Sequence, residues 1–495
     1  MIVIIDGHNY GYEMECLTRM FFFGEKVPVT DDLSRMGEDY VYTRLEEQNG
    51  GVKLTARVCL GQQSLEEEPQ VIRCPAGEER DHECERVFGV MVYHMLQKLT
   101  GKSPEWGILT GIRPVKLLGQ FISDGVSKEE IFRIFEQDYL VSPQKVRLAY
   151  ETALHEKFVL NQSQPDSYSL YISIPFCPSR CRYCSFVSQD IERAKKLVPS
   201  YVRRLCEELK RTADIAKELG LKLKTVYMGG GTPTTLAPSQ MDMVLKCVRE
   251  EFDLSNLLEF TVEAGRPDTI TEEKLQVILQ NGVTRISINP QTFCQPVLDE
   301  IGRLHTVQQT IDVYHLARNI GFDNINMDLI AGLPGDSLET FCASIDKAVE
   351  LDPENITVHT LSVKRSSDFG AQSEITVKEE AELTAKMVEY AGKKLMENGY
   401  FPYYLYRQKN TVGNLENTGF CKAGKEGYYN VYIMDEIHTI LAAGAGASTK
   451  LKQPGGTLIK RVFNYKYPYE YLDRFDEVLN RKKQILEFYR KYGKK

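Results

Sequence analysis

The sequence predicts an α/β fold, a partial (β/α)6 barrel flanked by an α+β N-terminal domain and an α+β C-terminal extension. Over residues 168–360, strand-like and helix-like segments alternate, the pattern of right-handed crossovers around a parallel sheet. The stretch covers ~190 residues against the about 250 of a closed eight-unit barrel, so an open barrel of six units is expected. Three cysteines mark where chemistry lies: Cys177, Cys181 and Cys184 follow the first strand of the alternation in C-x3-C-x2-C spacing. In parallel β/α sheets, reactive groups gather at the carboxyl ends of the strands.

Residues 1–165 read as the N-terminal domain. MIVIID, DYVYTRLEE and VKLTARVCL carry β-formers, with Asn49-Gly50-Gly51 as the hairpin turn between the last two. Val87, Val90, Met91, His94 and Met95 recur at helical spacing over residues 83–100, and His94 is read as a core histidine. Arg113 and Lys116, in the G-I-R-P-V-K-L stretch after Trp106, can meet an anion or simply be solvated. Helices are expected over residues 128–136 and 143–160, then a polar linker over 161–167.

Residues 166–365 hold the barrel, with strands SLYISI, TVYMGGGTP, LEFTVEA, RISINPQ, INMDLIAGLP and ITVHTL. Residues 366–495 read as a C-terminal domain covering the active site, with a helix over residues 378–398. The G-A-G-A-S run at residues 444–448 lacks the strand–helix context and spacing of a dinucleotide loop. It reads as a glycine-rich turn against the barrel.

The net charge of −8, from 61 basic and 69 acidic residues, argues against a general nucleic-acid binder. No apolar run approaches the ~18 residues of a membrane helix, and no basic stretch precedes the apolar start. Neither a membrane span nor a signal peptide is expected. The 12 cysteines are scattered apart from the triplet, which suits a reducing compartment, so the cytoplasm is expected.

Thiolates bind soft iron, and an iron–sulfur cluster usually takes four of them. Three with no fourth nearby leave one iron with an open position, where metal chemistry occurs. A zinc knuckle would need a further Cys or His at ligand distance, and none follows. The second strand ends in Gly229-Gly230-Gly231-Thr232-Pro233-Thr234. Glycines let a ligand approach the main chain, whose free N–H groups can hold a carboxylate and whose neighbouring carbonyls can receive an amine. The third strand presents Glu263, the fourth Gln291, the following loop Arg303 and the fifth Asp328. One such residue can merely cap a helix; four in succession point to a shared polar ligand.

These blocks resemble the signature of radical S-adenosylmethionine (radical SAM) enzymes. Y-I-S-I-P-F-C, Y-M-G-G-G-T-P-T, R-I-S-I-N-P-Q-T-F, I-G-R-L-H and N-M-D-L-I-A-G-L-P are similar to the oxygen-independent coproporphyrinogen III oxidase (coproporphyrinogen dehydrogenase) family. The flanking G-I-R-P-V-K-L, P-Y-Y-L-Y-R-Q-K-N and G-N-L-E-N resemble its HemZ branch. The resemblance implies a 4Fe–4S cluster on Cys177, Cys181 and Cys184. It implies S-adenosylmethionine contacts at Tyr171, Tyr183, Gly230, Gly231, Thr232, Glu263, Gln291, Arg303, Asp328 and Val358. The implied reaction uses a 5′-deoxyadenosyl radical to convert propionates of coproporphyrinogen III to vinyl groups. The product is protoporphyrinogen IX, in haem biosynthesis, and the electron donor a protein such as flavodoxin or ferredoxin. Lys364, Arg365, Arg407 and Lys409 are the candidate cations for the substrate's propionates. No catalytic residue is assigned.

Two positions depart from the family pattern: Ser173 stands where a histidine often precedes I-P-F-C, and Phe186 where a further cysteine often follows the triplet. Two other readings stay open. HemW-type haem chaperones share these blocks, but their H-N-x-x-Y-W motif is replaced here by Arg407-Gln408-Lys409-Asn410. Another radical SAM reaction on a tetrapyrrole, such as methylation with ring opening, would use the same cofactors.

Overall fold

Alternation at period two builds the first sheet. The computed structural model describes residues 1–37, 39–48, 50–74, 77–362, 377–408 and 411–493, with residues 377–380 by backbone alone. Strands β1 (Ile2–Asp6), β2 (Val29–Thr30), β3 (Tyr40–Gln48), β4 (Gly51–Leu60), β5 (Gln63–Glu66) and β6 (Gln70–Ile72) form one sheet. The β3–β4 hairpin runs in register from Tyr40↔Cys59 to Gln48↔Gly51, with Gly50 at φ +84°; Asn49 lies outside the described residues. Val52, Leu54, Ala56 and Val58 turn one face of β4 inward. They pack with Phe21 of α1 (Gly11–Phe21) and Phe88, Val92 and Leu96 of α2 (Glu78–Thr100).

Helix α2 begins before residue 83 because Glu78, Glu79 and Asp81 occupy its first turn, where the helix dipole favours acids. It stops at Gly101, at φ +68°. His94 is not a core histidine: it is partly exposed, 3.7 Å from Glu67. Helices α3 (Pro114–Ser123), α4 (Lys128–Arg133) and α5 (Pro143–Leu160) follow. The chain divides into two compact units, the first comprising residues 1–153, 373–382 and 406–416 and the second residues 154–372, 383–405 and 417–495. The first unit buries an ion pair, Lys145 Nζ to Glu416 Oε1 at 2.5 Å, with the Trp106 indole donating to Glu416 Oε2 at 2.8 Å.

In the second unit, β7 (Ser167–Ile174) leads to the short strands β8 (Phe176–Cys177) and β9 (Gln189–Asp190), then α6 (Ile191–Ala194) and α7 (Val198–Glu218). Next come β10 (Lys222–Gly230), α8 (Pro238–Glu251), β11 (Glu259–Glu263), α9 (Glu272–Gln280) and β12 (Arg285–Ser287). They are followed by α10 (Gln295–Glu300), α11 (Val307–Ile320), β13 (Ile325–Ala331), α12 (Leu338–Leu351), β14 (Asn355–Thr360) and α13 (Val377–Glu397). Strands β7, β10, β11, β12, β13 and β14 pair parallel, each with the next. Burial at both parities, with Ser169 and Ser173 as well as Leu170, Ile172 and Ile174 buried on β7 and Thr225 as well as Val226 and Met228 on β10, is that of a sheet covered on both faces. The (β/α)6 expectation holds.

The last segment extends that sheet at both edges. Strands β15 (Phe401–Arg407) and β16 (Glu416–Cys421) lie beyond β14, with β16 antiparallel to it. After α14 (Tyr428–Asp435), β17 (Thr439–Ala443) pairs parallel with β7, and β18 (Ser448–Lys452) and β19 (Ile459–Phe463) continue antiparallel. Most of residues 366–495 therefore belong to the barrel's own unit rather than to a third domain. Strand β17 adds a seventh parallel strand that the sequence reading passed over.

Glu208 of α7 ties these pieces together. Its fully buried carboxylate accepts from the Gly444 N–H at 2.8 Å, Tyr471 OH at 2.7 Å, Asn464 Nδ2 at 2.7 Å and Lys482 Nζ at 2.8 Å. Removing one partner of a buried pair leaves the other charge uncompensated. Glu208→Ala should therefore lower the unfolding free energy by about 3–5 kcal/mol, read as a drop in urea midpoint with little change in slope. An unchanged midpoint would refute the assignment of Glu208 as the tie.

Candidate active site

The cysteine loop leaves β7 through Pro175 and is drawn back by pairing of β8 with β9, Phe176↔Gln189 and Cys177↔Asp190. Cys177, Cys181 and Cys184 are free, partly exposed thiols. The Cys184 N–H donates to the Cys181 carbonyl at 3.0 Å and the Arg182 N–H to the Ile301 carbonyl at 3.1 Å. Arg266, directly after β11, is buried and bidentate to Asp268 at 3.0 Å. Its remaining N–H groups reach Ser179 Oγ at 3.0 Å and Cys181 Sγ at 3.6 Å. Thr232 Oγ1 donates to Cys177 Sγ at 3.5 Å.

Donors aimed at sulfur favour the thiolate, the form that ligates metal. Burial, with the neighbouring Cys181 and Cys177 behind it, pushes the Cys184 thiol up, a cost that a bound cationic centre relieves. Among the described residues, no three His, Cys, Asp or Glu side chains gather as ligands of one metal ion. A cubane places each thiolate on its own iron, so this loop fits a cluster with three irons held and one open.

Strands β7 and β10 end together, Gly229 beside Ser173 and Gly230 beside Ile174. A Cβ on Gly229 would lie 2.8 Å from the Glu263 carboxylate, and one on Gly231 would lie 2.6 Å from the Phe176 carbonyl oxygen. Gly230 has φ +106°. The Gly231 and Thr232 N–H groups donate to the Ile174 and Phe176 carbonyls at 2.8 and 2.7 Å. The free N–H cradle expected at these glycines is thus taken up by the chain itself; the glycines serve close approach of two strand ends. Glu263 accepts from Tyr227 OH at 2.5 Å and from the Gly230 N–H. Burial pushes Glu263 up to about 7 against those hydrogen bonds, and the charge of Asp328 adds to the rise. Tyr227 of β10 stacks on Tyr429 of α14 with ring centroids 4.4 Å apart, and Tyr171 of β7 lies 6.3 Å from each of them.

Asp328 on β13 goes the other way. Burial disfavours its charge, but His359, 3.8 Å away, the Asn326 amide at 2.7 Å and Thr357 together hold it below the usual carboxylate range. Gln291, at φ +68°, bridges to β13: its N–H donates to the Asp328 carbonyl and its carbonyl accepts from the Ile330 N–H, each at 2.9 Å. Arg303 is buried and donates to the Gly265 and Asn289 carbonyls at 3.0 and 2.8 Å and to Tyr183 OH at 3.3 Å, which links this side to the cysteine loop. Val358 lies buried on β14 between Leu329 and Thr418. Ser287 Oγ, Asn289 Oδ1, Arg303 Nε and both His305 ring nitrogens are buried without a hydrogen-bond partner among the described residues. Such unmet demand at the end of β12 fits a polar ligand with amino, carboxylate and hydroxyl groups.

Of the substrate candidates, Lys364, Arg365 and Lys409 lie outside the described residues. Arg407 is 6% exposed; its guanidinium donates to the Asn414 and Leu109 carbonyls and lies 5.8 Å from the centre of the Trp106 ring. It holds its own unit together instead of standing free for a propionate. The sequence reading passed over Arg266, Tyr227, His305, His359 and Tyr429. For Arg266 a signal existed, the G-R-P-D step at a strand's carboxyl end; Tyr429 carries none, since only tertiary packing brings it here.

Residues 171–348 match the radical SAM superfamily. The chain is 43% identical over 401 residues, 80% of its length and 79% of the relative's, to the oxygen-independent coproporphyrinogen-III oxidase-like protein HemZ of Bacillus subtilis. This chain belongs to that HemZ-type family of radical SAM proteins. Its cofactors are those of the superfamily, a 4Fe–4S cluster and S-adenosylmethionine. It is also 36% identical over 284 residues to the heme chaperone HemW of B. subtilis, covering 56% of this chain and 70% of that one. In fold it is similar to the coproporphyrinogen III oxidase HemN of Escherichia coli, with a TM-score of 0.50 at 23% identity over 65% of this chain and 72% of that one.

Replacing Cys177, Cys181 or Cys184 singly by Ala should abolish the brown cluster absorption, whereas Cys294→Ala or Cys342→Ala should keep it; a requirement for either of the latter two would contradict a three-cysteine site. A second expectation concerns pH. Because Glu263 holds its proton to about 7 in the folded chain, the native state binds more protons than the unfolded one between about 4.5 and 7. Its contribution to stability is therefore full below that window and lost as pH rises through it. In the cluster-free protein, Glu263→Gln should flatten the fall in stability between pH 5 and 8 by roughly 1–3 kcal/mol. An identical pH profile would place Glu263 in water.

Proposed function

We propose that this chain catalyses the oxygen-independent oxidative decarboxylation of coproporphyrinogen III propionates to vinyl groups. One observation carries the reading: the likeness to a coproporphyrinogen-III oxidase-like protein runs through 80% of the chain at 43% identity, whereas those to two heme chaperones cover 56% and 64% at 36% and 32%. In this reading Cys177, Cys181 and Cys184 hold three irons and leave the fourth open. When bound, the reduced cluster and S-adenosylmethionine supply a carbon radical able to abstract hydrogen from a propionate side chain.

The chain's own groups then divide the binding work. Asp328, kept ionised, suits the ammonium or ribose hydroxyls of S-adenosylmethionine; Glu263, near neutrality in proton affinity, accepts or donates at the same ligand. The buried polar atoms of Ser287, Asn289 and Arg303 meet its remaining polar groups, with Gln291 and Val358 shaping the strand ends beside them. Tyr171, Tyr227 and Tyr429 fill the space beside Glu263 with ring surface and exclude water. Lys364, Arg365 and Lys409 are proposed to pair with substrate propionates, which are costly to desolvate unpaired. A flavodoxin or ferredoxin donating one electron for each cofactor cleavage, and a one-electron acceptor taking the electron left as each carbon dioxide departs, complete the scheme in a reducing cytoplasm.

Anaerobic incubation with coproporphyrinogen III, a reductant and S-adenosylmethionine tests this directly. A divinyl product with release of carbon dioxide is expected. Stoichiometric haem binding without turnover would favour a chaperone, and a methylated open-chain product another tetrapyrrole reaction; either would overturn the proposal. Glu263→Gln and Asp328→Asn should each weaken S-adenosylmethionine binding roughly tenfold to hundredfold, the loss of a hydrogen bond to a charged group, with the cluster spectrum intact. Unchanged affinity in both would remove them from the cofactor site.

A further inference from the structure

We infer that Cys206 and Cys247, outside the cluster triplet, form a dithiol site on the barrel's helical layer that a small-molecule disulfide closes to a Cys206–Cys247 bond. Cys206 lies on α7 and Cys247 on α8, neighbouring helices in the layer outside the sheet. Each sulfur reaches across the seam. Cys206 Sγ is 3.8 Å from the carbonyl of Met243, one turn before Cys247, and Cys247 Sγ is 3.6 Å from the carbonyl of Cys206 itself. Two reciprocal contacts of this kind place the thiols on facing sides of one seam between the helices. Both side chains are partly exposed, so a small reagent can arrive.

The two thiols are not equivalent. The neighbouring Cys247 thiol lowers the Cys206 thiol, while the same contact and burial raise Cys247. Cys206 is therefore the attacking thiolate and Cys247 the resolving thiol. In the first step, Cys206 attacks one sulfur of a low-molecular-weight disulfide. That S–S bond breaks, and the departing thiolate takes up the proton Cys206 gave to water. In the second step, Cys247 loses its proton and attacks Cys206 Sγ, expelling the other small thiol. Two cysteine thiols are oxidised and one small disulfide is reduced to two thiols, with no other oxidant needed.

The position connects to the rest of the unit. Tyr201 and Glu208, on the same helix, donate to the Ser173 carbonyl at 2.8 Å and accept from the Gly444 N–H at 2.8 Å. Closing the bond therefore pins to α8 the helix that braces the end of β7 beside the cysteine loop.

The test uses the full chain, purified anaerobically with its cluster, equilibrated with oxidised and reduced glutathione, then acid-quenched, alkylated and digested with trypsin. The peptides spanning residues 205–210 and 247–249 should emerge linked, lighter by the two hydrogens lost. In the reduced protein, Cys206 should react with iodoacetamide at least about tenfold faster than Cys247. Cys247→Ser should trap glutathione on Cys206, and Cys247→Ala, which removes the donor, should slow Cys206 alkylation several-fold while Cys247→Ser preserves it. Recovery of both peptides separately under oxidising ratios, or glutathione resting on Cys206 of the unsubstituted chain, would overturn the proposal. So would equal reactivity of the two thiols.

Discussion

Three adjacent positions without a side chain determine how the carboxyl end of the barrel is built. At Gly229, Gly230 and Gly231 the end of β10 presses onto the end of β7 and onto the Glu263 carboxylate, at distances where a Cβ would collide with main chain or carboxylate. The cysteine loop begins at this contact, so its first residues are held by β10 through the Gly231 and Thr232 N–H groups. Thr232 can then put its hydroxyl on Cys177. Glu263 can sit against the strand with its oxygens on Tyr227 and the Gly230 N–H. An alanine at Gly231 would push Phe176 away, and with it the strand pairing that closes the loop.

Once the strand ends are this close, charge must be arranged within a narrow space. Two carboxylates near enough to feel each other separate in proton affinity, Glu263 rising and Asp328 falling, because their hydrogen-bond partners differ. Asp328 has His359 and an amide donor; Glu263 has a phenol and one N–H against its burial. The two buried guanidiniums at this end, Arg266 and Arg303, are directed inward to sulfur, main-chain carbonyls and Tyr183. A chain with a net charge of −8 thus concentrates positive charge where a thiolate-bound cluster would bring negative charge. That distribution cannot be inferred from composition.

Much of this was legible because it is local and periodic. The parallel strands announce themselves as apolar runs set between helical periods, and the cysteine triplet by spacing alone. Glu263, Gln291 and Asp328 are readable because each lies on or just after a strand of the repeating unit, and Arg303 because it lies in the loop that follows the fourth. What stayed hidden depends on contacts between distant segments. Strand β17 is a short apolar run with no crossover pattern around it, and nothing local says it will pair with β7. Tyr429 reaches Tyr227 across about two hundred residues of chain, a juxtaposition that only tertiary packing creates. Arg407, taken as a candidate cation for propionates from its place in the HemZ-like block, is buried among carbonyls. The glycine triplet was readable as a place of close main-chain approach, and within the chain that approach is between the ends of β10 and β7.

The substitution at Ser173 and the glycine-rich run at residues 444–448 looked unrelated in the sequence, and they are one feature. Ser173 Oγ donates to the Ala445 carbonyl at 2.7 Å, and Tyr201 joins the two by donating to the Ser173 carbonyl and accepting from the Ala445 N–H. A Cβ on Gly444 would lie 2.5 Å from the Ser173 carbonyl oxygen and 3.2 Å from the Ser173 Cβ. A histidine at residue 173, common in the wider family, would need the volume this turn occupies. The small residue and the side-chain-free turn therefore imply each other: the loop after β17 comes close to β7 because residue 173 is serine. The polar contact that a histidine would offer next to the cysteine loop is replaced by a hydrogen bond to backbone, anchored through Gly444 to Glu208. Groups on the other strands are then the ones placed to move a proton there, among them Glu263, whose proton affinity burial sets close to neutrality.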